Sequence, residues 1–262
     1  MSYGTLYGVG VGPGAPDLIT LRAVTVLQQA DVLALPRAND FGASMAWKIA
    51  RPTIGARPDQ ERLFLTFPMK KDPARLRAAW DVAFDKIGQR LAGGLSVAFV
   101  TEGDPSLYSS FIYLQREAPA RWPGIRIQVV PGVSSLAAVP ARTGIPLADG
   151  QERIAIIPAN YGVDDLARIL GDFDTTVIMK IGHEMPNVIA ALERTGLVDR
   201  AVYVSKATME EERIERDVTR VSATYGDCFA MVVVARKQRS GVLAGDVPAV
   251  EHGAVSPVGN AP

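Results

Sequence analysis

Three groups able to move a proton or grip a cation lie close together in the run Thr101-EGDPSLY: the carboxylates of Glu102 and Asp104 and the hydroxyl of Tyr108. Gly103, between the carboxylates, permits a backbone conformation closed to most other residues. The run follows an apolar stretch, Leu95-SVAFV, and in an open α/β sheet ligands bind beyond the carboxyl ends of the strands. Three more turns share that placement. Gly10-VGPGAP closes the first apolar run, Pro131-GVSS follows Ile125-RIQVV and brings Ser134 and Ser135, and Val177-IMKIG ends in Met179 and Lys180. Each has a plainer reading. Asp104-Pro105-Ser106 reads as a helix N-cap with proline in the first turn, Ser134 and Ser135 as caps, and Met179 as core.

The glycine loop suggests a dinucleotide site, since Gly10, Gly12 and Ala15 fit the G-x-G-x-x-A spacing. Glycine, without a Cβ, lets the backbone come close to a ligand. Two details oppose a nicotinamide-dependent oxidoreductase. Pro13 and Pro16 have no N–H to offer a pyrophosphate. Asp31 stands at the start of the next apolar run, whereas a ribose-binding carboxylate belongs at its end, where the chain reads Pro36-Arg37-Ala38-Asn39.

With 262 residues the chain has room for one large α/β domain or two modest ones. Its 28 basic residues balance 28 acidic ones, which is no polyelectrolyte signature, so nucleic acid is not an expected partner. Cys228 is the one cysteine, in the apolar run Cys228-FAMVVVA, and reads as a buried, inert thiol suited to a reducing compartment. The first residues, MSYGTLYG, lack a basic segment followed by an apolar core, and no apolar run reaches membrane-spanning length. A cytoplasmic protein with no membrane partner is expected. The two histidines, His183 and His252, lie far apart in sequence, and no metal site is expected.

Short apolar runs alternate with amphipathic ones along the chain. Strands are expected at 6–12, 31–35, 95–101, 125–130, 153–158, 175–181, 201–205 and 229–235. The clearest helix runs from Asp72 to Leu91, with Asp72 as N-cap, Pro73 in the first turn, and Leu76, Trp80, Phe84, Ile87 and Leu91 as one buried stripe. This alternation implies an α/β fold with mainly parallel or mixed sheets covered by helices. Gly144-IPLADGQE reads as the seam, which gives an N-terminal α/β domain over 1–147 and a C-terminal one over 148–239. From 240 to 262 the chain has no usable period and reads as a poorly ordered tail.

Taken together and in order, G-x-G-P-G-x-P, G-D-P, P-G-V-S-S and V-x-M resemble the tetrapyrrole methylases, S-adenosylmethionine-dependent enzymes of corrinoid and sirohaem synthesis. The likeness covers nearly the whole chain up to the tail. Glu102-GDPSLYSSF, Val177-IMKIG and Lys206-ATMEEERI resemble the branch that methylates precorrin-2 at C-20 to precorrin-3A on the cobalamin pathway. The chain departs from the family at Ala15, where an acidic residue is usual. The resemblance implies two α/β domains, a cofactor cleft between them, and a homodimer. It places Pro13, Glu102, Gly103, Asp104, Leu107, Ser134, Ser135, Met179 and Ala207 at the cofactor, with Met179 and Ala207 on the adenine side. Glu102, Asp104 and Tyr108, or else solvent or a substrate carboxylate, are the candidates for taking up the proton released on C-methylation, and Arg37, Lys70, Lys71 or Lys180 for meeting substrate carboxylates. A related enzyme acting on cobalt-loaded factor II or another ring position, and a non-catalytic tetrapyrrole carrier, are the alternatives.

Overall fold

The computed structural model describes residues 3–55, 57–67, 72–221 and 229–237. The expected tail over 240–262, and Lys70, Lys71, Cys228 and His252, lie outside the described residues. Two compact units divide between Ala137 and Ala138.

The first unit holds β1 (Thr5–Gly10), α1 (Leu21–Gln29), β2 (Val32–Arg37), α2 (Met45–Ile54), β3 (Glu61–Thr66), α3 (Pro73–Ala92), β4 (Val97–Thr101), α4 (Phe111–Arg121) and β5 (Arg126–Val130). All the strand pairings are parallel, in the order β3-β2-β4-β1-β5. Both faces of its central strands β2 and β4 are buried. Leu6, Ala34, Val97 and Phe99 pack with Phe84 and Ile87 of α3 and with Phe111 and Leu114 of α4. The alternate residues Val9, Leu33, Leu35, Ala98 and Val100 point to the other face and are equally buried. A parallel sheet covered on both faces is why these strands read as continuous apolar runs.

Local signals set the helix starts. The Thr20 hydroxyl accepts from Ala23 N at 3.1 Å and caps α1. Asp72 caps α3 through Ala74 N and Arg75 N, as expected. The predicted stripe on α3 is buried from Phe84 onward, but Leu76 is exposed and Trp80 only half-buried. The Trp80 ring meets Phe67 at 4.3 Å, Phe84 at 5.6 Å and Tyr113 at 5.7 Å, so an aromatic cluster rather than the sheet closes that end of the helix. The strand β3 was not expected from the sequence. It is an edge strand, burying only Leu63 and Leu65, a half-pattern two residues long.

After α5 (Ser135–Thr143), which crosses the division, the second unit holds β6 (Ile154–Pro158), α6 (Val163–Asp172), β7 (Thr175–Met179), α7 (Met185–Thr195), β8 (Ala201–Ser205), β9 (Arg213–Glu215) and β10 (Ala230–Ala235). Its sheet is mixed, in the order β6-β7-β10-β8-β9. The strand β10 runs antiparallel to both neighbours, so β7 and β8 point the same way on either side of it. Leu166 and Leu170 of α6 and Val188 and Leu192 of α7 pack on Ile178, Tyr203 and Val232. Among the described residues no helix is long and apolar enough to cross a membrane.

Candidate active site

In the first unit three loops meet beyond the carboxyl ends of adjacent strands β4, β1 and β5, and glycines make the meeting possible. Gly12 and Gly103 form an antiparallel bridge, with Gly103 N donating to Gly12 O at 2.7 Å and Gly12 N to Gly103 O at 3.4 Å. Gly10 packs on Gly132: a Cβ on Gly10 would stand 2.8 Å from Gly132 N, and one on Gly132 would stand 2.8 Å from the Gly10 carbonyl carbon. Both would drive still closer into the Gly103 carbonyl oxygen. Gly10 and Gly132 therefore serve the approach of backbone to backbone. Gly103 is different. At φ +60° it is left-handed, and a Cβ there would meet only Ser134 Cα, at 4.0 Å.

Asp104 does not cap a helix, contrary to the plain reading of its sequence. The helix α4 starts at Phe111 with Ser110 before it. One Asp104 oxygen accepts from Ser106 N at 2.8 Å and from the Ser106 hydroxyl, while the other accepts from Gly132 N at 3.0 Å. The carboxylate thus ties the β4 loop to the β5 loop. Burial opposes its charge, but the bonds from Ser106 and Gly132 outweigh it and hold Asp104 below the usual carboxylate range. Ser134 does act as a local cap, its hydroxyl accepting from Leu136 N at 3.2 Å. Ser135 opens α5 and is part-buried. Pro13 is buried, Leu107 part-buried, and Tyr108 40% exposed.

Glu102 is part-buried. Its Oε1 accepts from Ala46 N at 3.0 Å in the first turn of α2, whose N-cap Ser44 accepts from Trp47 N. Burial pushes the Glu102 carboxyl up, and the Ala46 bond only partly offsets that. A raised pKa has a defined stability sign. Ionising Glu102 is harder in the fold than in the unfolded chain, so the carboxylate costs stability once pH passes its ordinary value of 4.5. Glu102→Gln keeps an acceptor for Ala46 N and removes that cost. The variant is expected to be more stable than the parent at neutral pH and equally stable below the ordinary value, in denaturant unfolding at both conditions. A less stable variant at neutral pH would show that the charge at the start of α2 matters more than its burial.

In the second unit Met179 ends β7, part-buried, and its carbonyl accepts from Ala159 N at 2.8 Å. Ala207 follows β8 and is buried. With β10 between β7 and β8, the two loops leave the same end of the sheet about 10 Å apart. Among the described residues four non-glycine residues have positive φ: Tyr108 at 51°, Lys180 at 56°, Lys206 at 49° and Thr208 at 69°. All four fall in loops singled out from the sequence for chemistry. Such backbone costs of order 1–3 kcal/mol per residue and persists where the surroundings over-determine it, characteristically at functional sites.

The residues not brought to these loops are also clear. Asp31 lies at the amino end of β2, its Oδ2 accepting from Ser96 N at 2.8 Å and the Ser96 hydroxyl at 2.6 Å, which removes the acidic partner a dinucleotide would need. Arg37 pairs with Asp40 at 3.2 Å and donates to the Thr66 hydroxyl. Sequence reasoning missed Glu212, whose carboxylate holds the loop around Ala207. Only its place in Lys206-ATMEEERI marked it, and nothing distinguishes it there from the exposed Glu210 and Glu211.

Residues 5–221 match the family model of tetrapyrrole (corrin/porphyrin) methylases. The cobalamin biosynthesis protein CobIJ of Mycobacterium tuberculosis strain H37Rv is 34% identical over 260 residues, covering 95% of this chain and 49% of that protein. The chain thus spans about half the length of those relatives. The cobalt-precorrin-2 C(20)-methyltransferase of Salmonella typhimurium is 34% identical over 236 residues, covering 90% of this chain and 97% of that one. The uroporphyrin-III C-methyltransferase of Thermus thermophilus, solved with S-adenosylhomocysteine, shares the fold at a TM-score of 0.62 and 21% identity, covering 88% of this chain and 92% of the other. The glycine-joined loops beyond a parallel sheet, the strained turns after β7 and β8, and a family match running through both units lead to one assignment: this chain belongs to the tetrapyrrole methylases.

Proposed function

We propose that the chain is an S-adenosylmethionine-dependent C-methyltransferase that methylates precorrin-2 at C-20 to give precorrin-3A in cobalamin synthesis. One observation carries the C(20) reading: the likeness to the Salmonella cobalt-precorrin-2 C(20)-methyltransferase extends over 97% of that enzyme's length. The metal-free substrate follows the precorrin-2 C(20)-methyltransferase of Sinorhizobium, also 34% identical, over 85% of its length. The loops fit the donor chemically. Gly103 leaves an open face and Asp104 stays ionised to meet an ammonium group. In the second unit part-buried Met179 offers an apolar wall to an adenine. S-adenosylmethionine supplies an electrophilic methyl on its sulfonium.

The protein's own part is alignment and proton removal. Methylation at a ring carbon leaves one proton to be taken up. Of the candidates, Glu102 is the more basic carboxylate because burial raises it, whereas the bonds to Asp104 make that group a weaker base. Glu102 is the carboxylate this favours as acceptor: slower methyl transfer by Glu102→Gln supports the role, and an unchanged rate returns it to Tyr108, solvent or a substrate carboxylate.

The reading is tested by mass spectrometry of the product from precorrin-2, which gains one methyl. Gain only with cobalt-loaded factor II transfers the assignment to that substrate, and gain with neither overturns it. Met179→Ala is expected to weaken S-adenosylhomocysteine binding by about 1–2 kcal/mol through lost apolar contact. A large fall in melting temperature with unchanged affinity by calorimetry would make Met179 a core residue instead. A cytoplasmic homodimer is the working form in this reading, and sedimentation as a monomer at micromolar concentration would remove the dimer.

A further inference from the structure

The turn after β8 contains two left-handed non-glycine residues, Lys206 and Thr208, on either side of Ala207. Local hydrogen bonds hold its ends: Lys206 N donates to Phe229 O at 2.9 Å, Met209 N to Lys206 O at 2.9 Å, and Glu212 N to Met209 O at 3.1 Å. Glu212 Oε2 accepts from Thr208 N at 2.6 Å. The same carboxylate receives a forked pair from Arg142, the Nε reaching both oxygens at 3.0 Å and the Nη2 reaching Oε1 at 2.7 Å. The Glu212 side chain is only 12% exposed, whereas Glu210 and Glu211 of the same run are turned outward. A second bond joins the same two segments, Arg216 Nη2 to Thr143 O at 3.0 Å.

We propose that Glu212 is a positioning residue, braced by Arg142 on α5, that holds the Lys206–Thr208 backbone in its strained form and so shapes the wall around Ala207 for the methyl donor. A planar guanidinium fork fixes the carboxylate in angle as well as distance, and Oε2, reached by Nε, also holds the Thr208 amide. Without it the turn relaxes toward right-handed backbone and Ala207 swings out of place. The role of the loop toward the donor rests on the methyltransferase reading above. The role of Glu212 in the loop does not.

Two readouts separate these. Hydrogen exchange at the Thr208 amide reports the brace directly: it is expected to quicken by tenfold or more in Glu212→Ala and less in Glu212→Gln, which keeps an acceptor oxygen but loses the forked pair, a tenfold change being about 1.4 kcal/mol. Calorimetry with S-adenosylhomocysteine is expected to show the same order, a loss of about tenfold for Glu212→Ala with partial recovery in Glu212→Gln. If Glu212→Ala does not fold, the Gln variant carries both measurements. Unchanged exchange overturns the brace. Faster exchange with unchanged affinity confines Glu212 to the fold and overturns its role at the donor. Failure of the parent protein itself to bind S-adenosylhomocysteine overturns the methyl-donor reading instead, and with it the purpose assigned to the brace.

Discussion

Gly132→Ala is expected to destabilise the protein by about 3 kcal/mol or more, at the upper end of what overpacking costs, and to abolish methyl-donor binding in whatever fraction remains folded. The new Cβ would sit 2.8 Å from the Gly10 carbonyl carbon and closer still to the Gly103 carbonyl oxygen. Neither neighbour is a flexible side chain that can turn aside. Both are backbone at the ends of strands buried on both faces, so relief requires parting the β4 and β5 loops. Equilibrium denaturation measures the first effect and calorimetry the second. Gly103→Ala is the contrast, since open space surrounds its Cβ and only its φ of +60° opposes the change, which limits the cost to about 1–2 kcal/mol. Equal costs at the two positions would mean that the glycine junction is not the rigid element described.

Asp104→Ala is expected to be the most damaging side-chain change in the first unit's loops. It leaves Gly132 N and Ser106 N without their acceptor, a loss of about 1–3 kcal/mol in stability. It also removes the anion proposed to meet the donor's ammonium, a further loss of about 1.5–3 kcal/mol in binding. Asp104→Asn separates the two. The amide retains a single acceptor oxygen, which can serve Ser106 or Gly132, so stability is partly recovered while the charge is gone. Donor affinity that recovers along with stability in Asp104→Asn would restrict Asp104 to joining the loops.

The pattern in the sequence located this site better than it explained it. Strand–turn–helix alternation put the four turns at strand ends, because burial on both faces makes parallel strands visible as apolar runs and because caps such as Thr20 and Asp72 act within a few residues. Edge strand β3 and three-residue β9 escaped, one burying alternate side chains only and the other too short for any period. Strand direction was equally hidden: nothing local to 230–235 says that β10 runs antiparallel between β7 and β8.

Motif order and spacing, together with the exclusion of a dinucleotide by Pro13 and Asp31, were determined by the sequence itself, and they were enough for the family. What each motif residue does was decided only by tertiary structure. Gly10, Gly103 and Gly132 lie far apart along the chain, and their shared need for a missing Cβ exists only once β1, β4 and β5 stand side by side. The same holds for Asp104 on Gly132 N, Glu102 on Ala46 N and Glu212 between Arg142 and Thr208. A carboxylate's partner and basicity depend on what packs against it in space, and the residues that pack there are not its neighbours in sequence.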